Sequence, residues 1–187
     1  MKIVFALALG CPLLGFLGLS ASALEFSNGE TAFNGPLRLL RAAATETTIE
    51  SYPVYYQFTV EVPANLDEPL GRLVIAIPTE FGDFGLRPPE PKVVRAFVPT
   101  APYVKAPQYP ARELPVDVQV ARTQVALSFR EPVTPGSVVT VEWGPLRNPP
   151  QDGLYQYEVT AFPRGPAPRS QYVGLGRIVI RRGGSGR

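Results

Sequence analysis

Apolar and polar residues alternate along this chain in short runs and do not recur at helical spacing. Val54, Tyr56, Phe58, Val60 and Val62 alternate with Tyr55, Gln57, Thr59 and Glu61, which predicts a half-buried strand that Pro63-Ala64-Asn65 ends. A second strand is predicted over 70–77, with Leu73, Ile75 and Ile77 on one face. Residues 93–98, 124–129, 137–143, 154–162 and 172–180 supply further strands. Pro132–Gly136 and Asp152-Gly153 carry the turn chemistry between them, with Gly136 and Gly153 at positions suited to positive φ. Leu37–Ala44 has the makings of a short helix but no apolar stripe. About seven to nine short strands punctuated by Pro and Gly predict an all-β, immunoglobulin-like β-sandwich. Trp143, Tyr155 and Tyr157 fall on its inward faces and are expected in the core.

The punctuation is uneven. Pro88, Pro89, Pro91, Pro99, Pro102, Pro107, Pro110 and Pro115 interrupt the chain after the second strand. Proline has no N–H for a ladder, so this segment is expected to be a long excursion with 93–98 as its strand. It is either a rigid connector or a binding loop, and in the second case Tyr103 and Tyr109 are its aromatic contacts. The polar pair Arg147-Asn148 stands between an apolar strand and Pro149-Pro150. It either hydrogen-bonds loop carbonyls or meets a partner.

Residues 1–23 break the alternation altogether. Lys2 precedes an uncharged apolar run from Ile3 to Leu19, and Ala21-Ser22-Ala23 closes it, the layout of a signal peptide cleaved before Leu24. The run approaches the ~20 residues of a membrane span, but Gly10, Pro12, Gly15 and Gly18 suit a stable span poorly. No membrane span is expected after cleavage. Ala8-Leu9-Gly10-Cys11 resembles a lipoprotein site, yet Pro12 follows at once and the apolar run continues past it. The expected layout is a signal peptide over 1–23, one sandwich domain over 24–180 and a disordered tail over 181–187, where no apolar residue ties the chain down.

Composition narrows the chemistry. Cys11 is the one cysteine and Met1 the one methionine, and there is no histidine. The exported chain therefore has no thiol, no disulfide, no Ser-His-Asp system and no imidazole, thiolate or thioether metal site. No cofactor is expected. The 18 basic and 16 acidic residues are interspersed, without the basic stripe of a nucleic-acid binder. Asp67-Glu68 or Glu80 with Asp83 are carboxylates available to a glycan hydrolase, but no supporting motif accompanies them. Calcium needs only oxygens, and no Asp-rich loop of suitable spacing is present.

Several landmarks together resemble a known family. They are Phe26-Ser-Asn-Gly-Glu-Thr-Ala-Phe33; Tyr56 to Asn65 with Glu68-Pro69-Leu70; Pro132-Val-Thr-Pro-Gly136; Leu146-Arg-Asn-Pro149; Asp152 to Pro163; and Gly174-Leu-Gly-Arg177. In this order they are similar to exported cyanobacterial proteins whose domain is of unknown function. That resemblance implies an address in the periplasm, cell envelope or thylakoid lumen and brings no catalytic residues with it. Pro135-Gly136, the strand to Trp143 and Asp152-Gly153 are also similar to the last half of periplasmic copper-resistance β-sandwiches, whose histidine ligands are missing here. The expected function is a non-enzymatic binding or accessory module for an envelope or lumenal protein or glycan. A carboxylate-based glycan hydrolase and a weak calcium binder are the alternatives.

Overall fold

The computed structural model describes residues 29–102 and 108–183. Ten strands follow one another: β1 (Arg38–Ala44), β2 (Val54–Val62), β3 (Leu70–Ala76), β4 (Val94–Pro99), β5 (Pro110–Leu114), β6 (Val116–Ala121), β7 (Gln124–Val133), β8 (Ser137–Leu146), β9 (Gly153–Pro163) and β10 (Gln171–Ile180). They form two antiparallel five-stranded sheets, β1-β2-β8-β4-β5 and β10-β9-β3-β7-β6, stacked as a sandwich. The expected fold class holds, with three strands beyond those the pattern marked.

Each extra strand has a physical reason. Residues 38–44 are a strand and not a helix, because β1 pairs along β2 from Arg38↔Glu61 to Ala44↔Tyr56 and tertiary pairing overrides alanine's helical preference. β5 and β6 arise inside and just beyond the Pro-rich excursion, with Pro110 and Pro115 at their ends. β5 is the edge of its sheet, where a missing N–H costs no ladder bond. At Pro115 the chain passes from one sheet to the other, and the Arg130 amide donates to the Pro115 carbonyl at 3.1 Å.

Between the sheets lies the core. Tyr56, Phe58, Val60, Val141 and Trp143 of the first sheet meet Leu73, Ile75, Leu127, Tyr157 and Val159 of the second, all fully buried. Phe58 is the hub, with its ring centroid 4.9 Å from Trp143 and 5.1 Å from Tyr157. Each such side chain contributes about 1.5–3 kcal/mol by leaving water.

The edge between β1 and β10 is closed by small residues. A Cβ on Gly176 would fall 2.5 Å from the Ala42 Cβ, and one on Gly174 would fall 2.8 Å from the Leu39 Cβ. Arg181, which the sequence pattern places in a disordered tail, extends this seam. Its amide donates to the Thr47 carbonyl at 2.7 Å, and its carbonyl accepts from the Ile49 amide at 2.9 Å. The expected signal peptide and residues 184–187 lie outside the described residues.

Candidate functional site

Pleating aims Gln57 and Thr59 of β2, and Thr140 and Glu142 of β8, away from the core onto the outer face of the first sheet. Such positions are normally wet. Here all four are buried, together with Phe97 of β4 on the same face. Gln108, just ahead of β5, is seated against them. The Gln108 Oε1 accepts from the hydroxyls of Thr59 and Thr140, each at 2.6 Å, which fills both lone pairs of the amide oxygen. Its Nε2 donates to the Pro102 carbonyl at 3.0 Å. The backbone of the same residue is held as well: its amide donates to Gln57 Oε1 and its carbonyl accepts from Gln57 Nε2, both at 3.1 Å. Gln108 is thus clasped through side chain and main chain at once.

The next residue is treated in the opposite way. The Tyr109 carbonyl accepts from the Thr100 amide at 2.8 Å and the Thr100 hydroxyl at 3.1 Å, so its backbone is fixed too, yet its side chain is exposed. It borders a recess of about 380 Å³ that Tyr55, Pro53, Thr45, Arg95, Gln108 and Glu142 complete. Gly144 positions Tyr55: a Cβ there, at φ 155°, would fall 2.6 Å from the tyrosine ring. Arg95 and Glu142 face each other across β4 and β8. The guanidinium grips Glu142 Oε1 through Nε at 2.8 Å and Nη2 at 2.7 Å, and reaches Glu113 through Nη1 at 2.9 Å. The other carboxylate oxygen, Glu142 Oε2, accepts from Gln57 Nε2 at 2.6 Å, tying this pair to the Gln108 clasp. Burial alone would lower the Arg95 pKa, but the hydrogen bonds and charges of Glu142 and Glu113 outweigh it and raise the value.

Among the described residues singled out in the sequence, Tyr109 and the pair Arg147-Asn148 border different recesses. Tyr109 is at this recess, and Tyr103 lies outside the described residues. Arg147 and Asn148 border a separate recess of about 390 Å³, lined also by Glu50, Arg87 and Pro149. There Asn148 is buried: Oδ1 accepts from the Tyr56 hydroxyl at 2.6 Å, and Nδ2 donates to the Glu46 and Thr48 carbonyls at 3.0 and 2.7 Å. Arg147 donates to the Glu50 carbonyl at 2.8 Å and stands over the Tyr52 ring. Both residues hold the β1–β2 loop, and the side-chain amide of Asn148 is engaged at both its oxygen and its nitrogen. Asp67 is similarly engaged, accepting from Asn34 Nδ2 at 2.7 Å, while Asp152 pairs with Arg182 at 3.0 Å. The side chain of Asp83 is outside the description.

Sequence reasoning missed Gln57, Thr59, Arg95, Gln108, Thr140 and Glu142. Strict alternation marks a face as outward but carries no information on whether another segment covers it. One signal was available: Phe97 is a large apolar residue out of phase with Val94 and Ala96, which face the core.

The profile of a family described as a protein of unknown function, DUF2808, matches residues 30–180. The chain belongs to that family. No curated protein matches the sequence. The DUF2808 domain is similar to the crystal structure of BslA, a bacterial hydrophobin, with a TM-score of 0.46 and 10% identity over 81% of this chain and 98% of that one. It is also similar to the collagen-binding domain of a Staphylococcus aureus adhesin, with a TM-score of 0.36 and 8% identity over 75% of this chain and 97% of that one. The clasp and the recess both lie within the span that the DUF2808 profile matches.

Proposed function

We propose that this chain is an exported, non-enzymatic binding module of the cell envelope, periplasm or thylakoid lumen, and that it binds through the recess beside Tyr109. The observation that carries the proposal is the contrast between two neighbours. Gln108 is buried and clasped by three side chains, while Tyr109 is held at its backbone with its ring in water. Covering a sheet face needs the first residue but not the second, because an exposed aromatic ring adds little to folding. A rigidly presented aromatic loses little conformational entropy when a partner covers it, which is what a binding contact requires.

The carboxylates here favour binding over hydrolysis. Glu142 and Glu113 are both engaged with the Arg95 guanidinium. Glycosidic cleavage needs one carboxyl free to deliver a proton to the leaving oxygen. Export is supported by the pattern of residues 1–23, and an exported form whose intact mass begins at Leu24 is expected.

Affinity purification of the tagged chain from its own envelope fraction tests the reading. The wild type should enrich a reproducible component that Tyr109→Ala loses while staying folded. Equal enrichment by both proteins would remove the recess from consideration.

A further inference from the structure

We propose that the recess takes a neutral glycan, with a sugar ring stacked on Tyr109 and its adjacent hydroxyls hydrogen-bonded to the Arg95–Glu142 pair. This rests on the binding reading above and specifies its ligand.

Three features of the recess converge on that chemistry. The first is its pairing of surfaces. Three ring-bearing side chains, Tyr109, Tyr55 and Pro53, line the recess together with the planar Arg95–Glu142 ion pair. A pyranose has the same two-sidedness, with C–H bonds on its faces and hydroxyls around its rim. The cavity of about 380 Å³ is of ligand size, within the range of roughly 300–1,000 Å³ usual for such sites.

The second feature is unused hydrogen-bonding capacity. A guanidinium has five N–H donors in a fixed fork, and the bonds to Glu142 and Glu113 occupy Nε, one Nη2 proton and one Nη1 proton. That leaves one donor on each terminal nitrogen. Glu142 Oε1 accepts twice from Arg95, whereas Oε2 retains a lone pair after accepting from Gln57. The Thr45 hydroxyl accepts from the Tyr55 amide at 3.0 Å and keeps its own proton. Donors and acceptors therefore sit side by side, which matches a rim of hydroxyls that can each donate and accept.

Charge is the third feature. Arg95 is flanked by Glu142 and Glu113, so the cation is already neutralised from two sides. An anionic ligand would displace those partners or meet net negative charge, which disfavours phosphates and acidic peptides. The guanidinium is bound at three atoms and half-exposed, so it is preorganised and loses little freedom on contact with a neutral ligand.

The test is binding of the full exported chain to its own envelope material, treated in two ways. Binding is expected to survive exhaustive proteinase digestion of that material and to disappear after periodate oxidation, which cleaves vicinal diols. Tyr109→Ala should weaken it roughly tenfold, Tyr109→Phe should retain most of it, and neither should unfold the protein. Binding abolished by proteinase and indifferent to periodate would overturn the glycan inference. Were that protein-dependent binding still lost in Tyr109→Ala, the recess would stand as the binding site with a protein partner. Periodate-sensitive binding unchanged in Tyr109→Ala would also overturn the inference, by placing the glycan elsewhere.

Discussion

The side-chain amide of Gln57 pairs with the backbone of Gln108 at two points, donating to its carbonyl and accepting from its amide, both at 3.1 Å. A side chain on β2 thereby does for the β4–β5 connection what a neighbouring strand does in a sheet. Gln57→Leu removes both bonds and also the donor to Glu142 at 2.6 Å. Each buried polar group left without a partner costs about 1–3 kcal/mol, so a clear fall in melting temperature is expected. The Gln108 amide should lose its protection in hydrogen exchange along with it. Unchanged protection in Gln57→Leu would mean the connection is held by other contacts.

Core and recess should separate in their response to truncation. Trp143 is fully buried against Phe58, so Trp143→Ala should cost about 3–5 kcal/mol. Tyr109→Ala removes an exposed ring and should stay within about ±0.5 kcal/mol of the wild type. Denaturant melts of the two variants check this directly.

The seam between β1 and β10 makes a prediction about size alone. With the Ala42 Cβ only 2.5 Å from where a Gly176 Cβ would stand, Gly176→Ala should destabilise by about 1–3 kcal/mol, the usual range for overpacking. Ala42→Gly in the same chain should recover part of that loss. A double-mutant cycle measures the coupling, and additive effects would show that the strands move apart freely.

Three buried tyrosines set an alkaline limit. Burial, followed by the nearby charges of Asp152 and Glu80, pushes the Tyr155 pKa up to about 12. Burial also raises Tyr56 and Tyr157 well above the ordinary value of 10.0. Above that ordinary value the unfolded chain loses protons that the folded chain keeps. Stability is therefore fully present below it and is lost as pH rises towards the folded values. Denaturant melts at increasing pH should show the decline, with tyrosinate absorbance from these residues appearing together with unfolding. Ionisation of all three near the ordinary value with the fold intact would contradict their burial.

The strand pattern made most of the sandwich legible, because a sheet with one buried face imposes period two on its sequence. Val139, Val141 and Trp143 could be assigned to the core on that ground, and all three are buried. β1 was not legible: Ala42 is small because Gly176 of β10 passes close by, a reason that exists only once the edge has closed. The clasp was hidden for a related cause. Gln57 and Gln108 are 51 residues apart, and nothing in the alternation of either segment marks them as partners. Tyr109 could be singled out as an aromatic in a Pro-rich loop, but its fixed backbone could not be foreseen.

Contact through Tyr109, as proposed above, can be measured within one molecule because three tyrosines report on it. Tyr109, Tyr52 and Tyr172 are comparably open, at 66%, 61% and 58% exposure. They stand at the outer-face recess, the β1–β2 loop and the β10 edge respectively. Oxidative footprinting of the chain, free and with the envelope material it is proposed to bind, reads all three together. Tyr109 is expected to become protected on binding while Tyr52 and Tyr172 react as before. Protection of Tyr52 or Tyr172 with Tyr109 unchanged would contradict it.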